Sequence, residues 1–88
     1  MAGFLGGSAY AMATQIGEGY TLLNPVMLRK FSKPELQQLV FEMEKLQRET
    51  RAVNPPVEDQ AALQAKNRRL GRLRQGLMVL NHQISQRR

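Results

Sequence analysis

The chain has 88 residues, a formal net charge of +6 from 13 basic and 7 acidic side chains, and no cysteine. This length allows one small domain with a thin hydrophobic core, and the lack of cysteine excludes disulfides and thiolate metal sites. A thin core favours help from a partner chain, and the positive charge favours an anionic partner such as nucleic acid, an acidic protein face or a phospholipid surface.

The charge is unevenly distributed along the chain. Residues 1–28 contain one acid, Glu18, and no base, so residues 29–88 carry all 13 bases. The first segment is rich in glycine and alanine, and each glycine in a helix interior costs up to about 1 kcal/mol relative to alanine. We therefore interpret residues 1–28 as a flexible or partner-ordered arm and residues 29–88 as a helical hairpin.

The arm nevertheless holds more apolar side chains than a solvated tail needs. It has neither the basic start and unbroken apolar core of a secretory signal nor a run of about 20 apolar residues that could span a bilayer. A short helix from Ser8 to Ile16, capped by Ser8, fits the pattern. We expect the arm to order against a partner or to fold back on the hairpin through Phe4, Leu5, Tyr10, Met12, Ile16 and Tyr20.

The strongest local signal lies at the start of the first predicted hairpin helix. Ser32 is followed three residues later by Glu35, which is the spacing of a capping box, and Phe31 with Leu36 has the spacing of a hydrophobic staple. The pattern predicts a helix over about 33–53. Its apolar face includes Leu36, Leu39 and Met43.

Asn54, Pro55 and Pro56 predict a short turn at 54–56, because a residue before proline avoids helical dihedrals and proline interrupts a helix interior. Pro56 fits the first turn of a second helix over about 57–85. A short connection favours antiparallel neighbours, so the predicted fold is all-α, a coiled-coil-like two-helix antiparallel hairpin. In this register Met43 lies near Leu70.

The second helix carries an apolar seam with gaps of three, four and seven residues. At roughly 43 Å it overhangs the first helix, which reaches roughly 31 Å, so either residues 26–31 or another chain must cover its last turns. Gly71 and Gly76 lower the helix propensity in the middle of this helix, either as tolerated defects or as points where the backbone of a partner approaches closely. The candidate partner-binding seam comprises Leu70, Leu73, Leu77, Leu80 and Ile84, together with Leu36, Leu39 and Met43.

A dense basic surface shares the second helix with this seam. The sequence after Phe41 has no aromatic residue, so platforms for stacking single-stranded bases are absent from the helix. Its bases could contact phosphates, or Arg69 and Arg74 could pair with Glu42 and Glu49 or with acids on a partner. The basic surface comprises Lys66, Arg68, Arg69, Arg72 and Arg74.

No residue set in the sequence favours catalysis. His82 is the only histidine, no cysteine is present, and the acids lack the spacing of a metal site or a general acid–base pair. We therefore expect no enzyme activity, no cofactor and no small-molecule substrate, and we expect an intracellular protein that is soluble or associated with a complex.

The outline of the hairpin invites two comparisons. Leu36, Leu39 and Leu46 before a short turn, followed by an arginine-rich return helix, are similar over residues 31–86 to the two-helix protein of the bacterial large ribosomal subunit and to the hairpin co-chaperones of type III secretion needles. These likenesses rest on heptad spacing, and the long arm is unlike both families. They imply RNA binding in the first case and partner-protein binding in the second.

The leading functional hypothesis is a non-catalytic adaptor or assembly subunit. Its exposed seam, from Leu73 to Ile84, would dock with helices of a partner protein or of a second copy, and folding would depend on the partner or on concentration. The alternative is a basic hairpin that binds RNA or the ribosome. A membrane role for the arm is disfavoured, because the arm has no base to attract anionic lipid.

Overall fold

The computed structural model describes Phe4 and residues 7–87, and this part of the chain is all-α, with no strand. Four helices follow one another: α1 (Ala9–Glu18), α2 (Pro25–Leu28), α3 (Lys33–Ala52) and α4 (Gln60–Ser85). The two long helices, α3 and α4, pack together, and α1 packs on both of them. The prediction of a two-helix hairpin is therefore incomplete, because residues 1–28 supply two further helices, α1 and α2, to the same core.

Local capping explains where α1 begins and ends. As predicted, Ser8 is the N-cap, and its side chain accepts a hydrogen bond from the Ala11 N–H at 3.1 Å. At the other end, the N–H of Gly19 donates to Ile16 and the N–H of Tyr20 donates to Gln15. This is a Schellman ending, which needs a left-handed residue, and Gly19 supplies it with a φ of 86°.

The capping box predicted at the start of α3 is confirmed. The Ser32 hydroxyl accepts from the Glu35 N–H at 3.3 Å, and the Glu35 carboxylate accepts from the Ser32 N–H at 2.8 Å. Asn24 caps the short α2 in the same way, by accepting from the Met27 N–H at 2.9 Å. Short-range hydrogen bonds from side chains thus fix the starts of α1, α2 and α3.

The connection between α3 and α4 is longer than predicted. The helix α3 ends at Ala52 and α4 begins at Gln60, so the prediction that Pro56 lies in the first turn of the second helix is wrong. Asp59 caps α4 instead, because its side chain accepts from the Ala62 N–H at 3.1 Å. The later start shifts the register, and Met43 packs over Gly76 rather than Leu70.

The core is built from the apolar faces of all four helices and the connections between them. The longest buried side chains include Met12 of α1, Leu28 of α2, Met43 of α3 and Leu73 of α4, each with no exposed surface. Burying side chains of this size stabilises a fold by roughly 1.5–3 kcal/mol each, before the cost in conformational entropy. Most of the predicted seam therefore serves the chain's own core.

The expectation that the seam from Leu73 to Ile84 stays exposed is wrong. Leu73 and Leu80 have no exposed surface, Leu77 is 9% exposed, and Ile84 packs partly buried against the core. The overhang of α4 is covered from within the chain, since Leu28 and Phe31 are buried in the same cluster as Leu80. Phe4 extends this cover, because its ring stacks on that of Phe31 with centroids 5.5 Å apart.

The two glycines inside α4 differ in their surroundings. A Cβ on Gly76 would lie 2.6 Å from Met43 Cε and 3.3 Å from Ile16 Cγ2, so the missing side chain lets three helices approach one another. A Cβ on Gly71 would meet nothing within 4 Å. Gly76 is thus a point of close approach within the fold, whereas Gly71 faces open space.

Candidate binding surface

The basic residues of α4 divide into two groups, and the first group holds the fold together. Lys66 Nζ donates to the Arg51 carbonyl oxygen at 3.2 Å, and Arg72 Nη1 donates to the Gly17 carbonyl oxygen at 3.3 Å. Arg69 forms an ion pair with Glu18. All three contacts lie at the C-terminal ends of α1 or α3, where unpaired carbonyl groups and the helix dipole favour a cation.

Arg87 serves α2 in the same way. Its guanidinium donates to the Leu28 carbonyl oxygen at 2.8 Å and to the carbonyl oxygen of Phe31. The helix α4 and the residues just after it therefore supply a basic side chain to the C-terminal end of each of the other three helices. The basic side chain and the carbonyl group that it caps lie up to 59 positions apart in the sequence, so no local sequence pattern reveals these contacts.

The pairing predicted for Arg69 and Arg74 does not occur in the described part of the chain. Arg69 pairs with Glu18 rather than with Glu42 or Glu49, and one carboxylate oxygen of Glu42 is buried without a hydrogen-bond partner. Arg74 has no ion pair or hydrogen bond to any residue among Phe4 and 7–87. Glu18 takes this role because α1 packs against α4.

The second group of bases, Arg68 and Arg74, is exposed on α4. Within the described residues neither side chain makes a hydrogen bond or ion pair, so both remain available to a binding partner. The two differ in position, because Arg68 lines two grooves on the surface and Arg74 lines neither. This difference makes Arg74 a natural control for Arg68.

The first groove, which we call the basic groove, has a volume of about 470 Å³. It lies where the C-terminal ends of α1 and α3 meet the first half of α4, and its lining includes Thr50, Val53 and Pro55. Four bases and one acid also line it: Lys66, Arg68, Arg69, Arg72 and Glu18. Three of these bases already have partners within the chain, so Arg68 is the base with most freedom to bind a ligand here.

The second groove, the apolar groove, has a volume of about 640 Å³ and runs between α4 and the segment that links α1 to α2. One wall comprises Thr21, Leu22 and Leu23 of this link, with Ile16 and Gly19. The other wall is a single face of α4, since the residues are spaced by three and one positions along the helix: Arg68, Gly71, Arg72, Gln75, Gly76 and Val79.

The link that forms one wall is anchored in two places. Leu23 is buried in the core, and the Thr21 hydroxyl donates to the Gln15 side-chain oxygen at 3.1 Å. Leu22, between these two anchors, is 80% exposed. The sequence does not identify Leu22 as a contact residue, because a single leucine beside Asn24 and Pro25 has no periodic pattern and its exposure depends on how α1 packs.

The predicted contact residues of the arm differ in how far they are buried. Met12 and Ile16 are buried in the core, and Phe4 is partly buried against it. Tyr10 and Tyr20 are 50% and 82% exposed. Leu5 lies outside the described residues. The apolar face of α1 is therefore used within the chain, and among the described residues of the predicted contact set the two tyrosines remain accessible.

Two further observations concern other classes of site. Among Phe4 and residues 7–87, no group of three or more His, Cys, Asp or Glu side chains is placed to hold a metal ion. In the same residues, no helix combines the length and the apolar character needed to cross a membrane.

No protein family, no curated protein and no solved structure matches this chain. The two hairpin families that the outline resembles therefore gain no support from comparison. Function has to be inferred from the two grooves and from the charges that line them.

Proposed function

We propose that this chain is a non-catalytic adaptor that docks onto a partner protein through the apolar groove and the arginines at its end. The observation that carries this proposal is the position of Leu22, which is 80% exposed and lines an apolar groove that Arg68 also lines. Exposed apolar surface that is rimmed by polar residues is typical of protein interaction sites.

The docking surface in this proposal differs from the one expected from the sequence. Apart from Leu70, the leucines of the seam fill the chain's own core, so a partner would have to unfold the bundle to reach them. The apolar groove needs no such opening. A partner that inserts an apolar side chain beside Leu22 gains buried area, and Arg68 adds a charged contact that selects the partner.

RNA binding is the second candidate, and one observation favours it: α4 contains five Lys and Arg residues and no acid. Three of these five bases, however, already hold backbone carbonyls or Glu18. Each phosphate contact contributes separately to salt-dependent affinity. With Arg68 and Arg74 as the free pair on this helix, we rank RNA below a protein partner.

Site-specific photo-crosslinking in the native host tests the proposal. A benzophenone amino acid is placed at Leu22, and at Met78 as a control, because Met78 is an exposed apolar residue of α4 that lines neither groove. We expect a discrete protein adduct from position 22 and none from position 78. Adducts with RNA, or the same adducts from both positions, would contradict docking at this groove.

A further inference from the structure

The dimensions of the apolar groove limit what can bind in it. Its α4 wall runs from Arg68 to Val79, which corresponds to about 16 Å, or three turns of helix. Gly19, Gly71 and Gly76 line the groove without side chains, and a Cβ on Gly71 would meet nothing within 4 Å. A partner backbone can therefore approach α4 closely at Gly71.

The hydrogen-bonding groups of the walls decide whether a helical or an extended partner segment fits the apolar groove. The α4 wall lies within one continuous helix, whose N–H and C=O groups bond to one another. An extended peptide in the groove would find no free backbone group on α4, and the link opposite offers only the three non-helical residues Thr21, Leu22 and Leu23, so most of the peptide's own backbone groups would lack a partner. A helix satisfies its backbone internally and needs apolar side chains on one face only, which is the helix-in-groove mode of recognition.

The charge of the groove selects among helices. Arg68 and Arg72 stand at one end of it, and no acidic residue lines it. Arg72 already donates to Gly17, whereas Arg68 has no partner among the described residues. A carboxylate on the bound helix would pair with Arg68 in a charge-assisted hydrogen bond.

Two other occupants fit less well. Single-stranded RNA is disfavoured because no aromatic residue lines the groove to stack on bases. A second copy of this chain is disfavoured because its α4 has the same excess of positive charge, and its α3 carries Lys33, Lys45, Arg48 and Arg51 along with its acids.

From these observations we infer that the apolar groove binds an acidic amphipathic helix of a partner protein. The bound helix places apolar residues at a spacing of three or four against Leu22, Val79 and Gly71, and it places a Glu or Asp at the end next to Arg68. This inference rests on the proposed function and adds the chemistry of the partner to it.

The test uses the full chain and a display library of random 16-residue peptides. Peptides are selected on the wild-type chain, and the enriched sequences are synthesised and measured by fluorescence anisotropy at two salt concentrations. We expect enrichment of peptides that combine Glu or Asp with apolar residues at helical spacing and that gain helicity on binding by circular dichroism. Enrichment of basic or non-helical peptides, or no enrichment, would overturn the inference.

Three variants locate the binding site. Arg68→Ala should weaken binding of the selected peptide about ten- to hundredfold, the usual effect of losing a charged hydrogen bond, while Arg74→Ala should change it less than about twofold. Gly71→Leu fills the groove at a position with free space, so it should abolish binding while the melting temperature is kept or raised. Equal affinity in the Gly71→Leu variant would place the peptide elsewhere and overturn the inference.

The outcomes also separate the inference from the proposed function. If crosslinking from position 22 captures a protein but the library yields no acidic helix, docking stands and the chemistry of the occupant is wrong. If single-stranded poly(U) binds and Arg68→Ala and Arg74→Ala weaken it equally, both the adaptor and its acidic partner are contradicted in favour of RNA.

Discussion

Arg72 of α4 lies directly against Gly19 at the end of α1. Its Nη1 donates to the Gly17 carbonyl oxygen at 3.3 Å, and a Cβ on Gly19 would stand only 2.9 Å from the Arg72 Cζ. Gly19 thus has two roles. It adopts the left-handed conformation that ends α1, and its missing side chain leaves room for the Arg72 guanidinium that caps α1. Arg72 also lines both grooves, so the stability of α1 and the shape of the binding surface depend on the same side chain.

Replacing Arg72 should therefore lower the stability of the fold. We expect Arg72→Gln to reduce the free energy of unfolding by about 1.5–3 kcal/mol, the usual contribution of a hydrogen bond that involves a charged group. Urea denaturation followed by circular dichroism measures this change. Arg74→Gln is the matched control on the same helix, and a loss as large as that of Arg72→Gln would contradict the capping role.

Alanine should have opposite effects at two glycines. Gly19→Ala forces a Cβ into a left-handed conformation and towards Arg72, so we expect a loss of at least about 1–2 kcal/mol. Gly71→Ala adds a methyl group in open space within a helix and should raise stability by up to about 1 kcal/mol. Thermal melting of the two variants and the wild type measures these changes. A shift of the melting temperature in the same direction for both variants would contradict the different roles given to Gly19 and Gly71.

Gly76 should tolerate no larger side chain. Valine at this position would press on Met43, whose flexible end can move, and on Ile16, whose branched side chain is held in the core. We expect Gly76→Val to destabilise the fold by about 1–3 kcal/mol through overpacking. The same substitution at Gly71 is the control, since its surroundings are open; similar losses at both sites would point to helix propensity alone.

Arg87 should control the order of α2 more than that of the long helices. Its guanidinium donates to the carbonyl oxygens of Leu28 and Phe31, and hydrogen bonds that involve a charged group are worth about 1.5–3 kcal/mol. We expect Arg87→Ala to speed amide hydrogen exchange in residues 25–31 while exchange in the middle of α3 changes little. Arg29→Ala, which removes an exposed base from the end of α2, should leave this pattern unchanged.

The isolated chain should fold without a second copy. The seam that was expected to need a partner is covered by α1, by α2 and by Phe31, so the core is complete within one chain. We expect sedimentation equilibrium to give a monomer of 10.0 kDa and the melting temperature to be independent of protein concentration. A rise in melting temperature with concentration would instead restore the expectation of folding through self-association.

The amino-acid sequence by itself determined where α1 and α3 start. Ser8, Ser32 and Glu35 act on backbone groups three residues away, so their effect can be recognised from spacing alone. The all-α class followed from apolar periodicity for the same reason. The prediction that Pro56 lies in the first turn of the second helix was wrong, because Asp59 is a second possible start signal and its side chain caps α4 instead.

The tertiary structure alone decided what covers each surface. Periodicity in α4 indicates that one face is buried, but it does not say whether a second chain, α1 or α2 buries it. Likewise, the five bases of α4 look equivalent in the sequence, and contacts with residues as distant as Gly17 separate Arg72 from Arg68. The apolar groove exists because α1 packs against α4 and because Thr21 and Leu23 hold the link on either side of Leu22. No local sequence pattern indicates such long-range packing.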